Sequence, residues 1–280
     1  MTQTANPLQQ YFRRPALYIR LISNGQWWTP DSLDMPVNQE LPVYPMTAID
    51  EITYRTPDAL FNGQATVDVI QSCVPAIKDA WKTPIIDLNP ILLAMRIASS
   101  GHNMNMESKC PECTNVNDYE IDLRTILENQ SHPDFNRSVR HGDVEIYFRP
   151  MTYHQQNQIN TAQFEQQRTI YSVNASDLDD EEKNRQLAEI LKKITAITLQ
   201  AIKFSIGSIR TPQALVTETE YIEEFLANCD RHLFNQIRDH VIKLREDSEL
   251  RPMQMKCVHC EHEYQQALML DNSNFFEQAS

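Results

Sequence analysis

The sequence predicts an α+β fold: a mixed N-terminal region, then two short β knuckles far apart in the chain, with a mainly helical insertion between them. Three observations predict it. Short apolar stretches punctuated by turn residues and prolines fill the first 105 positions. Two Cys-x-x-Cys turns, Cys110/Cys113 and Cys257/Cys260, each stand between strand-like flanks. Between them apolar residues recur at helical spacing. The expected divisions are an N-terminal α+β region over 1–105, a split ribbon made of 106–125 with 252–272, and a helical insertion over 140–250.

Residues 16–28, ALYIRLISNGQWW, predict a strand ending at a Ser-Asn-Gly turn, with Trp27 and Trp28 opening its partner. The next 18 residues, TPDSLDMPVNQELPVYPM, hold four prolines, which forbid a long helix and predict extended chain crossing a surface. Residues 47–80 predict short helical turns and one helix ending near Ala80. In LNPILLAMRIAS, residues 88–99, Asn89 stands at a cap, Pro90 at the first helical position, and Gly101 just past the end. The continuous apolar character of this helix predicts burial. HNMNMES before the first cysteine pair and NDYEIDLRTI after it predict a hairpin with thiols at its tip. DVEIYFRP, residues 143–150, alternates as a strand does.

The glutamine-rich TYHQQNQINTAQFEQQRTIYS keeps apolar positions at helical spacing. The segment after it, residues 177–206, has acids in its first turn, lysines later, and Leu187, Ile190, Leu191, Ile194, Ile197 and Ile202 expected along one side. Thr217 with Glu220 predicts a capping box for a further helix, and RHLFNQIRDHVIKLREDSEL another amphipathic one. RPMQMK and HEYQQALML flank the second cysteine pair as strands.

The composition excludes several function classes. The formal net charge is −13, and four thiolates around a divalent ion would take it to about −15. That acidity opposes nucleic-acid binding, which needs a basic face. No apolar run reaches the roughly 18–20 residues that cross a bilayer, so no membrane partner is expected. The N-terminus lacks the order of a secretory leader, so a reducing compartment is expected, where paired cysteines serve metals better than disulfides. Five glycines leave little material for phosphate-cradling loops, and there is no Walker loop, GxGxxG or GxSxG motif.

The cysteines carry the chemistry. Zinc takes four deprotonated ligands in a tetrahedron, and each Cys-x-x-Cys turn can present two sulfurs to one ion. Cys110, Cys113, Cys257 and Cys260 therefore make a complete structural Zn²⁺ set, with no position left to activate water. The roughly 145 residues between the pairs exceed the usual ribbon spacing, but a metal site needs only proximity in space. Iron fits the same four thiolates. A redox dithiol would require one pair at the start of a helix in a βαβ unit, which the strand-like flanks oppose. His259 and His262 are alternative ligands set against a solvated role on the rim. Cys73 and Cys229 stand alone in helical patterns and are expected to be buried, inert thiols. Trp27 and Trp28 are candidates for a partner contact or for core packing.

One run of landmarks resembles a known family. It comprises Pro45 to Thr47, Thr56 to Leu60, Asn62 and Gly63, Ser72 to Pro75, Ala94 to Gly101, and Cys110 with Cys113. In this order and density over residues 44–125 the chain resembles the baseplate hub subunits of T-even-like contractile-tailed bacteriophages. The resemblance implies a non-enzymatic structural or assembly protein of a tail hub. It would make contacts with other tail and baseplate proteins and with further copies of itself. It would reside in the virion baseplate and, during assembly, in the host cytoplasm. The rival reading from another class is a zinc-ribbon nucleic-acid-binding or transcription-regulating protein, for which only Lys109, Lys256, Arg251 and Arg124 are at hand near the knuckles.

Overall fold

In the computed structural model, which describes residues 6–54 and 63–268, the chain divides into two units interleaved in sequence. Residues 1–80, 87–130 and 250–280 belong to the first, and residues 81–86 and 131–249 to the second. Helices and strands both contribute, as the α+β expectation requires.

The first unit opens with strand β1 (Leu17–Ile19), whose antiparallel partner is β2 (Leu41–Val43), with Leu17 opposite Val43. This corrects the expected pairing with Trp27 and Trp28. The turn does form, but Asn24, Gly25 and Trp27 all have positive φ (51°, 83° and 64°). Three left-handed residues in four carry the chain away from a tight hairpin. The proline-rich stretch is extended at β2, yet it does not merely cross a surface. Leu41 and Val43 are fully buried, while Pro42 between them lies on the opposite side of the strand and removes nothing from the core.

Helix α1 (Ala48–Tyr54) is capped reciprocally: Thr47 N donates to Asp50 Oδ2 at 2.7 Å, and Asp50 N donates to Thr47 Oγ1 at 3.2 Å. Helix α2 (Gln64–Cys73) stops seven residues short of the expected Ala80. Pro75 is the reason: the residue before a proline is pushed out of the α region, and Val74 sits at φ −127°, ψ 75°. Ala80–Lys82 is a separate 3₁₀ turn. The landmark Thr56 to Leu60 and Asn62 lie outside the described residues.

Helix α3 (Ile85–Ser100) starts four residues before the expected Asn89 cap, so Pro90 is inside it. A proline there deletes only the bond to the Ile86 carbonyl, and burial offsets that loss: Ile91, Leu92, Leu93, Ala94 and Met95 are all buried. Gly101 ends the helix as expected, at φ 84°, with its N–H on the Ile97 carbonyl at 3.0 Å. The first-unit chain continues as β3 (Asn103–Lys109), β4 (Val116–Asp122) and the short α4 (Leu123–Glu128), then resumes after the second unit as β9 (Met253–Lys256) and β10 (Glu263–Gln266).

Several of the landmark residues meet around Arg13. Its guanidinium donates to Pro45 O (2.7 Å), Asp50 Oδ2 (3.3 Å), Ser72 O and Ser72 Oγ (both 2.8 Å), and Ser72 Oγ passes a bond on to Asp50 Oδ2 at 3.0 Å. Ser99, in the Ala94 to Gly101 run, accepts the Met46 N–H at 2.8 Å. Asp87 forms a second buried knot, accepting from Ser23 N (2.9 Å), Ser23 Oγ and Trp28 Nε1 (2.8 Å). Burial pushes its carboxyl above the ordinary range. Trp28 is thus tied to the fold by its indole N–H, and Trp27 is half-buried.

The second unit has a four-stranded antiparallel sheet in the order β5 (Val139–His141), β6 (Val144–Phe148), β7 (Ile206–Arg210), β8 (Leu215–Val216). Between β6 and β7 runs a long helical hairpin, α5 (Tyr153–Ala175) and α6 (Asp180–Ser205). Helices α7 (Thr219–Asn228) and α8 (Arg231–Ser248) follow. Asp179 and Asp230 cap α6 and α8 with their carboxylates, and Thr152 with Gln155 forms a complete capping box on α5. The expected box at Thr217 does not form: Glu218 is the cap of α7, without a side-chain bond, and its carboxylate accepts the Thr217 N–H instead. Along α6, Ile190, Ile197 and Ile202 are buried as expected, but Leu191 is 62% exposed.

Candidate metal centre

Strands β3 and β4 pair in register from Asn103↔Asp122 to Lys109↔Val116, and β9 and β10 from Met253↔Gln266 to Lys256↔Glu263. Each hairpin is closed by a Cys-x-x-Cys turn, as the flanks predict. The two turns repeat one another bond for bond. Cys110 N donates to Asn115 O and Cys257 N to His262 O, both at 2.9 Å. Thr114 N returns to Cys110 O and Glu261 N to Cys257 O, both at 3.0 Å. The residue after each second cysteine is left-handed, Thr114 at φ 61° and Glu261 at φ 60°. Such a turn aims both sulfurs of a pair to one side.

The two tips meet. The Sγ atoms of Cys110, Cys113, Cys257 and Cys260 all lie within 4.8 Å of one another. Across the knuckles Cys110 Sγ is 3.7 Å from Cys260 Sγ, and Cys113 Sγ is 3.6 Å from Cys257 Sγ. A tetrahedron with metal–sulfur bonds of about 2.3 Å has edges of about 3.8 Å. The spacing and the donor set both fit a metal ion. Cys110 and Cys257 are buried, Cys113 half-buried and Cys260 exposed.

Proton affinities within the cluster are uneven. Burial pushes the Cys257 thiol up, but the amides of Cys260 and His259 and bonds from the Cys113 and Cys260 thiols bring it down to about 6. Cys260 moves to about 12: the His262 amide favours its thiolate, and burial together with the proton it shares with Cys113, Cys257 and Cys110 outweighs that. The two sulfurs of the second knuckle are thus pushed in opposite directions by the bonds between them, and metal binding requires both as thiolates.

Several contributors escaped the sequence reading. Asn117, on β4, is buried and bridges the knuckles: its Nδ2 donates to Asn115 O (3.1 Å), and its Oδ1 accepts Val258 N (3.0 Å) and lies 3.4 Å from Cys257 Sγ. Tyr119 OH donates to Lys256 O (2.9 Å) and lies 3.2 Å from Tyr264 OH, which donates to Ser108 Oγ (3.0 Å). Ser108 Oγ continues to Gln266 Oε1 at 2.8 Å. This polar ladder joins two hairpins about 150 residues apart. The available signal was polar residues, Ser108 and Asn117, at inward positions of alternating strands. Behind the ladder the cysteines pack on Met106, Met253, Met255 and Tyr264, and Met106 and Met253 continue into a core formed by Leu93, Met104, Ile121, Leu123 and Leu268.

The remaining candidates fall elsewhere. His259 and His262 are exposed and outside the cluster, with the His262 ring stacked on Tyr264. Cys73 is wholly buried, and burial pushes its thiol up to about 12, in keeping with an inert role. Cys229 is half-buried, its thiol raised by burial, and it donates to Leu226 O at 3.5 Å. No helix among the described residues is long and apolar enough to cross a membrane.

The comparisons with known proteins bear on the whole of this architecture. No curated protein and no solved structure matches the chain significantly. The family of the T4 bacteriophage base plate protein matches residues 39–277, from the Arg13-bound landmarks through both knuckles. The chain belongs to the T4 bacteriophage base plate protein family.

Proposed function

We propose that the chain is a non-enzymatic structural component of the hub of a contractile-tail baseplate, and that one structural Zn²⁺ on Cys110, Cys113, Cys257 and Cys260 holds its ribbon together. The observation that carries the reading is the cluster itself: four sulfurs at tetrahedral spacing, drawn from two hairpins whose family membership is baseplate. Zinc bound there supplies folding free energy and leaves no coordination position for a substrate or water. The chain's own residues do the rest. The paired left-handed turns aim the sulfurs, Asn117 fixes the second knuckle against the first, and the Tyr119–Tyr264–Ser108–Gln266 ladder closes the seam.

The surroundings favour protein partners over nucleic acid. On the outer face of the first hairpin Glu107 stands opposite Asp118 and Asn105 opposite Glu120. Arg124 is paired with Asp122 and Lys256 with Glu261, so two of the four basic residues near the knuckles already face a carboxylate where a phosphate would need them. The test is mass spectrometry of purified virions and of isolated baseplates. Recovery of the chain in baseplates at a fixed ratio to other hub proteins is expected. Its absence from virions would leave only an assembly role, and tight, salt-sensitive DNA binding by the pure protein would overturn the reading.

A further inference from the structure

Two close sulfur contacts in the four-cysteine cluster run across the knuckles. Cys110 faces Cys260 at 3.7 Å and Cys113 faces Cys257 at 3.6 Å. Exposure is also uneven. Cys260 is the exposed member, whereas Cys110 and Cys257 are buried. An oxidant arriving from solvent therefore meets Cys260 first, and the sulfur poised behind it is Cys110 of the other hairpin.

We propose that Cys260 is an oxidation site and that Cys110 resolves it, so that peroxide converts the metal clamp into a covalent cross-knuckle clamp. The chemistry balances with a hydroperoxide as the two-electron oxidant. The Cys260 sulfur attacks the peroxide, the O–O bond breaks, an S–O bond forms, and the sulfur is oxidised to a sulfenic acid while one oxygen leaves as water or alcohol. The Cys110 sulfur then attacks Cys260, the S–S bond forms, the S–O bond breaks, and water leaves. Two ligands are lost, so the ion departs. A second equivalent joins Cys113 to Cys257 by the same route. Each bond would close a loop of about 150 residues, which holds the two hairpins together without metal. A particle that leaves a reducing cell would thereby keep its ribbon closed. The identity of the ion rests on the zinc reading above, but the pairing of the sulfurs does not.

The experiment uses the full-length protein as purified, with its metal content first measured by elemental analysis. Hydrogen peroxide is then titrated in. Released metal is followed with a chromogenic chelator, and disulfides are mapped by non-reducing tryptic digestion. Trypsin cuts after Lys109, Arg124 and Lys256, so each knuckle lies on its own peptide. Cross-knuckle bonding joins the two peptides, whereas bonding within a Cys-x-x-Cys pair leaves them separate. The expected result is one metal released with the first disulfide, and joined peptides whose fragmentation places Cys260 on Cys110. Disulfides confined to Cys110–Cys113 and Cys257–Cys260, or over-oxidised Cys260 with no disulfide, overturn the proposal. A Cys110→Ser protein, if it folds, should accumulate dimedone-reactive Cys260 at least tenfold over wild type. If it does not fold, the wild-type map decides alone. A protein found without metal that still gives joined peptides sinks the zinc reading and keeps this one.

Discussion

At the scale of single residues, Asn117 shows how a neutral side chain supports a charged site. Its amide oxygen lies 3.4 Å from the Cys257 sulfur and holds the Val258 N–H. Asn117→Asp would place a carboxylate beside thiolates already carrying net negative charge. Supporting residues of metal sites typically contribute 10–100-fold in affinity. We therefore expect zinc affinity to fall about tenfold or more, measured by competition with a chelator of known strength, while His259→Ser, at an exposed position outside the cluster, changes it little. The ligands were legible in the sequence because Cys-x-x-Cys spacing states its chemistry locally. Asn117, Tyr119 and Arg13 were not, because their partners are 141, 145 and up to 59 positions away and no local pattern names them.

At the scale of elements, local rules succeeded where the cause was local. The Gly101 stop, the first knuckle hairpin and the buried face of α3 follow from residues next to one another. The pairing of β1 with β2, the early start of α3 at Ile85 and the Glu218 cap were decided by tertiary context. Burial of Ile91 to Met95 keeps Pro90 inside a helix that propensity alone would begin at Asn89. Two predictions belong here. Removing the capping box on α5 with Thr152→Ala should cost about 1 kcal/mol in urea unfolding, within the usual range for caps. On the second unit's sheet, Glu145 is held down to about 2 by the Ser138 hydroxyl, then Tyr147, then Arg140. A depressed carboxyl stabilises the fold above the unfolded value, about 4.3, and loses that contribution as pH falls toward 2. Glu145→Gln should therefore destabilise at pH 7 and flatten the acid loss of stability between about pH 4.5 and 2. An unchanged acid limb would show that the bonds to Glu145 do not contribute.

At the scale of the whole molecule, two hairpins written 144 residues apart fold as one ribbon, and the second unit is inserted between them in sequence. A ribbon of short strands has little core of its own, so on the proposed zinc reading its closure would fall largely to the metal. Structural zinc in small sites contributes on the order of 10 kcal/mol. Family membership places the chain among T4 bacteriophage base plate proteins.

The most direct measurement is metal content and thermal unfolding of the same purified sample, with and without a strong chelator. The account predicts about one zinc per chain, loss of that zinc on chelation, and a large fall in melting temperature that zinc alone restores. A metal-free protein with the same melting temperature, or a chain loaded with iron and indifferent to zinc, would contradict it.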